Sequence, residues 1–141
     1  STASTGPAAG GGDLSKVDAC ALLTPAEIHD ATGVDVQAGV NADSDIVKQC
    51  NWENSDSVLA LGVVVRTFTD DDWDTIKVFP NAEAVPGLGE EAYKNSPLTG
   101  DLSVKADGYE IDMGWAASGP MSQADADTAI ESLARLVLSR L

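Results

Sequence analysis

Positive charge is scarce in this chain. Lysine and arginine total 8 residues against 23 aspartates and glutamates, and the formal net charge is −15 at pH 7. Phosphate binding needs clustered basic side chains, so nucleic acid is excluded as a partner. Direct electrostatic docking on anionic lipid is excluded for the same reason. A cationic partner stays open, although acidity by itself mainly supplies solubility. Histidine occurs once, as His29, and the two cysteines lack Cys-x-x-Cys spacing. That inventory argues against a zinc site. No apolar run approaches the roughly 20 residues that span a bilayer. No secretory leader is visible, and the chain opens without Met, as a mature or trimmed polypeptide would.

What is present suits one domain. With 43% hydrophobic residues in 141, the chain can bury a core of its own. Residues 1–12, "STASTGPAAGGG", hold no large apolar side chain and read as a disordered tether. Folded structure is expected over residues 13–141. "LLTPAEIHDATG" predicts a helix with Thr24 as N-cap, Pro25 at the first position, Glu27 closing a capping box and Gly33 as the left-handed stop. "VDVQAGV" then reads as extended. "VKQCNWENSDSVLALGVVVRTF" reads as a hairpin turning near Asn54–Asp56. Its second arm, Val58–Val65, is nearly all apolar, the mark of a central strand covered on both faces. "VPGLGEEAYKNSPLTG" reads as a tight turn leading to a short strand around Ala92–Lys94. "DLSVKADGYEIDMGWAA" is a hairpin about an Asp107-Gly108 turn. On its second arm Ile111, Met113 and Trp115 share a buried face, and Glu110 and Asp112 are expected on a wet one. Ser122 and Asp125 form a further capping-box pattern. Ile130, Leu133, Ala134, Val137, Leu138 and Leu141 then make an apolar stripe at helical spacing.

The most chemically loaded stretch is "TFTDDDWDTI", residues 67–76, with four aspartates in five positions around Trp73. Asp70, Asp72 and Asp74 match the first three ligand positions of an EF-hand calcium loop. That loop then needs glycine and, at its twelfth position, glutamate. Thr75 and Asn81 stand there instead. A helix start explains the stretch better: Thr69 is the N-cap, Asp72 the third-position carboxylate, and the acids face the positive end of the helix dipole. A weak surface cation site at Asp70, Asp72 and Asp74 is the alternative.

Cys20 precedes the first helix and Cys50 opens a strand just before Trp52. A bridge between them would staple helix to sheet and add roughly 3.5 kcal/mol by loop-closure entropy. It would also imply an oxidising, extracytoplasmic setting. A metal pair or two free thiols are the alternatives.

No catalytic set can be read. His29 stands on the first helix, and no Gly-x-Ser-x-Gly elbow presents a serine. No cofactor is implied. Among few aromatics, Trp52 and Trp115 fall on strands and Trp73 on a short helix. A cleft between sheet and short helix could take an apolar or aromatic ligand on these three, although core packing suits each.

The landmarks "DACALLTPAEI", "CNW", "VPGLGEEAY", "LSVKADGYEIDM" and "LARLVLSRL", in that order, resemble an actinobacterial lipoprotein family catalogued as domain of unknown function 3558. The resemblance spans residues 14–141. It implies a cell-envelope location, with a lipidated cysteine upstream of a Ser/Thr/Gly-rich tether similar to residues 1–12. Membrane contact would then run only through a lipid anchor before residue 1. It assigns no functional residue.

The expectation is an α+β domain: an antiparallel sheet of five or six strands, N- and C-terminal helices packed on it, and a short middle helix. Its expected role is that of a secreted or membrane-anchored binding module, not an enzyme, taking a protein or small ligand in the envelope. A sensor or accessory subunit of an envelope enzyme or transporter is the alternative. A carboxylate-dependent hydrolase ranks last.

Overall fold

The structure is a computed structural model and describes residues 13–54, 59–78, 82–95, 100–117 and 123–141. The tether at 1–12, the first hairpin's turn beyond Asn54, Phe79, Asn81 and Ser122 lie outside the described residues.

Helix α1 (Pro25–Thr32) forms where its caps place it. Glu27 N–H donates to Thr24 Oγ1 at 3.2 Å and Thr24 N–H donates to Glu27 Oε1 at 2.9 Å. Gly33, at φ 76°, ends the helix in the left-handed region. The strands are β1 (Val40–Asn41), β2 (Val47–Glu53), β3 (Leu59–Thr67), β4 (Glu83–Ala84), β5 (Glu91–Asn95), β6 (Gly100–Ala106) and β7 (Tyr109–Ala117). Helix α2 (Asp70–Lys77) links β3 to β4, and α3 (Gln123–Ser139) closes the chain.

The sheet is antiparallel in the order β1-β2-β3-β7-β6-β5-β4. Its seven strands, among the described residues, exceed the five or six expected. The difference is two two-residue edge strands, β1 and β4, too short to leave a periodic signal. Short edges also limit unwanted pairing with other chains. The apolar strand β3 is central, between β2 and β7. Asp107 and Gly108, at φ 54° and 83°, turn β6 into β7. Both values are positive, as a type I′ turn requires.

One face of the sheet carries the main core. Trp52, Leu61, Val63, Val65, Leu102, Val104, Ile111 and Met113 are buried there, with Leu133, Ala134 and Val137 of α3 packed against them. The helical stripe is thus the inner face of α3. Helix α1 packs on α3, and the two are clamped by Arg140. Its Nη1 donates to the Leu22 carbonyl and to Glu27 Oε1, each at 2.7 Å, and its Nη2 donates to Glu27 Oε2. This bidentate pair holds the Glu27 carboxyl down at about 2.

Cys20 and Cys50 form a disulfide with their Cα atoms 5.0 Å apart. The bond ties a 3-10 turn at Ala19–Ala21 to β2. Gly39 lies directly over it. A Cβ there would come within 2.7 Å of Trp52 Nε1 and would overlap Cys50 Sγ.

Candidate functional site

The second face of the sheet holds the polar chemistry. Strand periodicity places Gly62, Val64 and Arg66 of β3 on it, beside Glu110, Asp112 and Gly114 of β7 and Ser103 and Lys105 of β6. The register sets Arg66 opposite Glu110, Glu110 opposite Lys105, and Asp112 opposite Ser103. Cross-strand neighbours of this kind are close enough to interact directly.

Helix α2 crosses this face. Thr69 caps it, accepting from the Asp72 N–H at 3.3 Å, and Asp70, Asp71 and Asp72 fill its first turn. "TFTDDDWDTI" is therefore a helix start. Trp73 is 3% exposed and fastens the helix to the sheet. Its Nε1 donates to Glu91 Oε1 at 2.8 Å, and Tyr93 donates to Glu91 Oε2 at 2.7 Å. Both bonds favour the ionised carboxyl, led by the tyrosine's, and lower the Glu91 pKa. The Trp73 ring sits 6.1 Å from Phe68 and 5.9 Å from Tyr93, centroid to centroid. Lys105 Nζ stands 4.5 Å over the Phe68 ring.

The face expected to be wet is therefore partly covered. Glu110 is only 2% exposed, a correction to the alternation read from sequence. Alternation assigns a residue to a face and says nothing about what later lies across that face. Between α2 and strands β3, β7 and β6 a cavity of about 330 Å³ remains, lined by Arg66, Asp72, Thr75, Ser103, Glu110 and Asp112 among others. Ile76, Leu102, Met113 and Gly114 make its less polar wall.

Within it Arg66 Nε stands 3.3 Å from Asp112 Oδ2 and 3.6 Å from Glu110 Oε2. Ser103 Oγ donates to Asp112 Oδ1 at 2.8 Å. Neither Arg66 Nε nor Glu110 Oε1 has a hydrogen-bond partner, although both atoms are buried. Burial, then the hydrogen bond and charge of Asp112, push the Glu110 carboxyl up to about 8 against the opposing pull of Arg66. Burial thus favours the protonated form of the Glu110 carboxyl, which is flanked by Asp112 and the Arg66 guanidinium.

Of the residues singled out from sequence, few meet here. Trp52 is buried in the main core, on the face opposite to Trp73. The two share no cleft. Trp115 pairs with Leu61 of β3, and its side chain lies outside the described residues. Asp72 lines the cavity, whereas Asp70 and Asp74 do not. No group of three or more metal-capable side chains gathers among the described residues. His29 faces Asp35 at 3.6 Å in an exposed position on α1. Arg66 and Ser103 are not marked by any local pattern, and Glu110 and Asp112 read from sequence only as the wet face of a hairpin. One signal was available: an arginine ending the apolar run "LALGVVV" on a central strand needs a carboxylate nearby.

Compared with protein-family models, curated proteins and solved structures, the chain matches none. The disulfide fits an oxidising compartment. Among the described residues no helix is long and apolar enough to cross a membrane.

Proposed function

We propose that this domain is a non-enzymatic binding module of the cell envelope, displayed on its N-terminal tether and taking a small ligand in the cleft beneath α2. The observation that carries the reading is the cavity itself: about 330 Å³, roofed by a helix fastened through Trp73, with polar groups from three strands converging in it. That size and mixture of linings suit a small molecule. The disulfide, the Ser/Thr/Gly-rich residues 1–12 and the resemblance to the lipoprotein family support an extracytoplasmic site of action. A lipid on a cysteine upstream of residue 1 would anchor it.

One observation favours a second reading, a carboxylate-dependent hydrolase. Glu110 and Asp112 converge in a cleft, and burial favours the protonated form of Glu110. Geometry weighs against it. The Glu110 side chain is 3% exposed and set beside Arg66, a poor placement for a general acid that must meet a leaving group directly. Both Asp112 oxygens are engaged, by Ser103 and Arg66.

A fragment screen by amide NMR tests the binding reading. Shifts clustering at Arg66, Thr75, Ser103 and Asp112 are expected. Fragments that move only surface residues elsewhere would sink it. Turnover of a model glycoside or ester that Glu110→Gln abolishes would establish the hydrolase instead.

A further inference from the structure

We propose that the cleft beneath α2 is selective for a small organic cation, a primary ammonium on a short alkyl chain, and that Glu110 gives up its proton when the cation binds. The proposal rests on the cleft being the binding site and adds the ligand's charge and class.

Three acids from two elements line the cavity, Asp72 of α2 and Glu110 and Asp112 of β7, against Arg66 as the base among its lining residues. An anion entering would meet Asp72 and Asp112, and Arg66 is already shared between Glu110 and Asp112. A cation meets the opposite field. Asp112 is 27% exposed at its side chain, and Asp72 is exposed, so both can be approached. Thr75 and Ser103 hydroxyls, which already donate to the Asp71 carbonyl and to Asp112, keep lone pairs free to accept from an ammonium. Ile76 offers apolar surface to an alkyl chain.

The independent pointer is Glu110. Its side chain is 97% removed from solvent, it lines the cavity, and its Oε1 has no hydrogen-bond partner. A buried acid so placed responds to charge brought into the cavity, because burial weakens the screening between them. The charged groups around it are Arg66 of β3, Asp112 of its own strand, Asp72 of α2, and Lys105 of β6, its cross-strand neighbour. Arg66 favours its ionised form; Asp112 and Asp72 oppose it. An ammonium seated between Asp72 and Asp112 offsets those two carboxylates and tips Glu110 to the carboxylate. The balance is simple: cation and protonated site give the complex and one proton released to solvent. A bare divalent metal is the poorer fit, because no cluster of three metal-capable side chains gathers among the described residues.

The test is an amide NMR titration of the oxidised 141-residue chain with n-butylammonium chloride, and with 1-butanol and sodium butyrate as neutral and anionic probes of equal length. The ammonium is expected to shift Asp72, Thr75, Ser103 and Asp112. Its affinity should rise up to about tenfold between pH 6 and 7 and level off above pH 8, the signature of one linked proton. Glu110→Gln should abolish that pH dependence, and Asp72→Asn should weaken binding several-fold at every pH, both with unchanged amide dispersion. Butanol or butyrate binding in the cleft in place of the ammonium would overturn the cation assignment and leave the cleft as a binding site. Ammonium binding that is independent of pH in the parent chain would overturn the role of Glu110. Failure of all three probes to move cleft residues would sink the cation inference, while cleft shifts from fragments of other chemistry would keep the binding reading alive.

Discussion

Glu110→Gln removes a charge that burial opposes while keeping the shape of the side chain. The folded protein holds the Glu110 proton up to about 8, whereas the unfolded chain loses it near the ordinary value of 4.5. Between those values the folded state binds the extra proton, so stability falls as pH rises through that window. Outside the window this group contributes no slope. Each pH step corresponds to about 1.4 kcal/mol, which sets an upper bound of roughly 4–5 kcal/mol across the window. Local relaxation and a higher effective dielectric reduce this, and about 2–3 kcal/mol is the expected effect. The glutamine variant should therefore match the parent near pH 4.5 and exceed it by about that amount at pH 8.5. Urea unfolding of both proteins across pH 4.5–9, with the disulfide intact, measures it. Every other titrating group is common to the two, so the difference curve reports Glu110 together with its coupling to Asp112. A difference that stays flat across this range would refute the burial argument.

Three further outcomes are expected. Glu27→Gln should cost about 1 kcal/mol at pH 7, discounted because the pair with Arg140 is partly solvent-exposed. The Glu27 contribution is present above 4.5 and lost as pH falls through about 2, so acid unfolding of the parent, but less of the variant, should steepen there. Gly39→Ala forces a methyl against Cys50 Sγ and the Trp52 indole, and should lower stability by about 1–3 kcal/mol in a thermal melt. Replacing Cys20 and Cys50 together by alanine should cost about 3.5 kcal/mol. Maleimide labelling of the native parent should find no free thiol, because neither cysteine is free.

Signals spanning a few residues were legible directly. The Thr24–Glu27 capping box, the Gly33 stop, the Thr69 cap and the Asp107-Gly108 turn each depend on neighbours no more than four positions away. The stripe at Ile130, Leu133, Ala134 and Val137 announced the buried face of α3 for the same reason. The candidate site was less visible. Glu110 and Asp112 looked like the solvent side of a hairpin, and no local rule says that α2 will lie across it. The Arg140 clamp was equally hidden, because its partner Glu27 stands 113 positions earlier.

The sequence by itself therefore determined the longer elements, the capped helix starts and the α+β class, because caps, turns and periodicity act over one or two turns of chain. Tertiary structure alone decided that the two hairpins would join through β3 and β7, that Trp73 would pin α2 over the polar face, and that Glu110 would lose its water. The physical reason is that desolvation and ion pairing depend on distance in space. Arg66, Ser103, Asp72 and Glu110 come from separate elements and acquire a common environment only when the sheet closes beneath the helix.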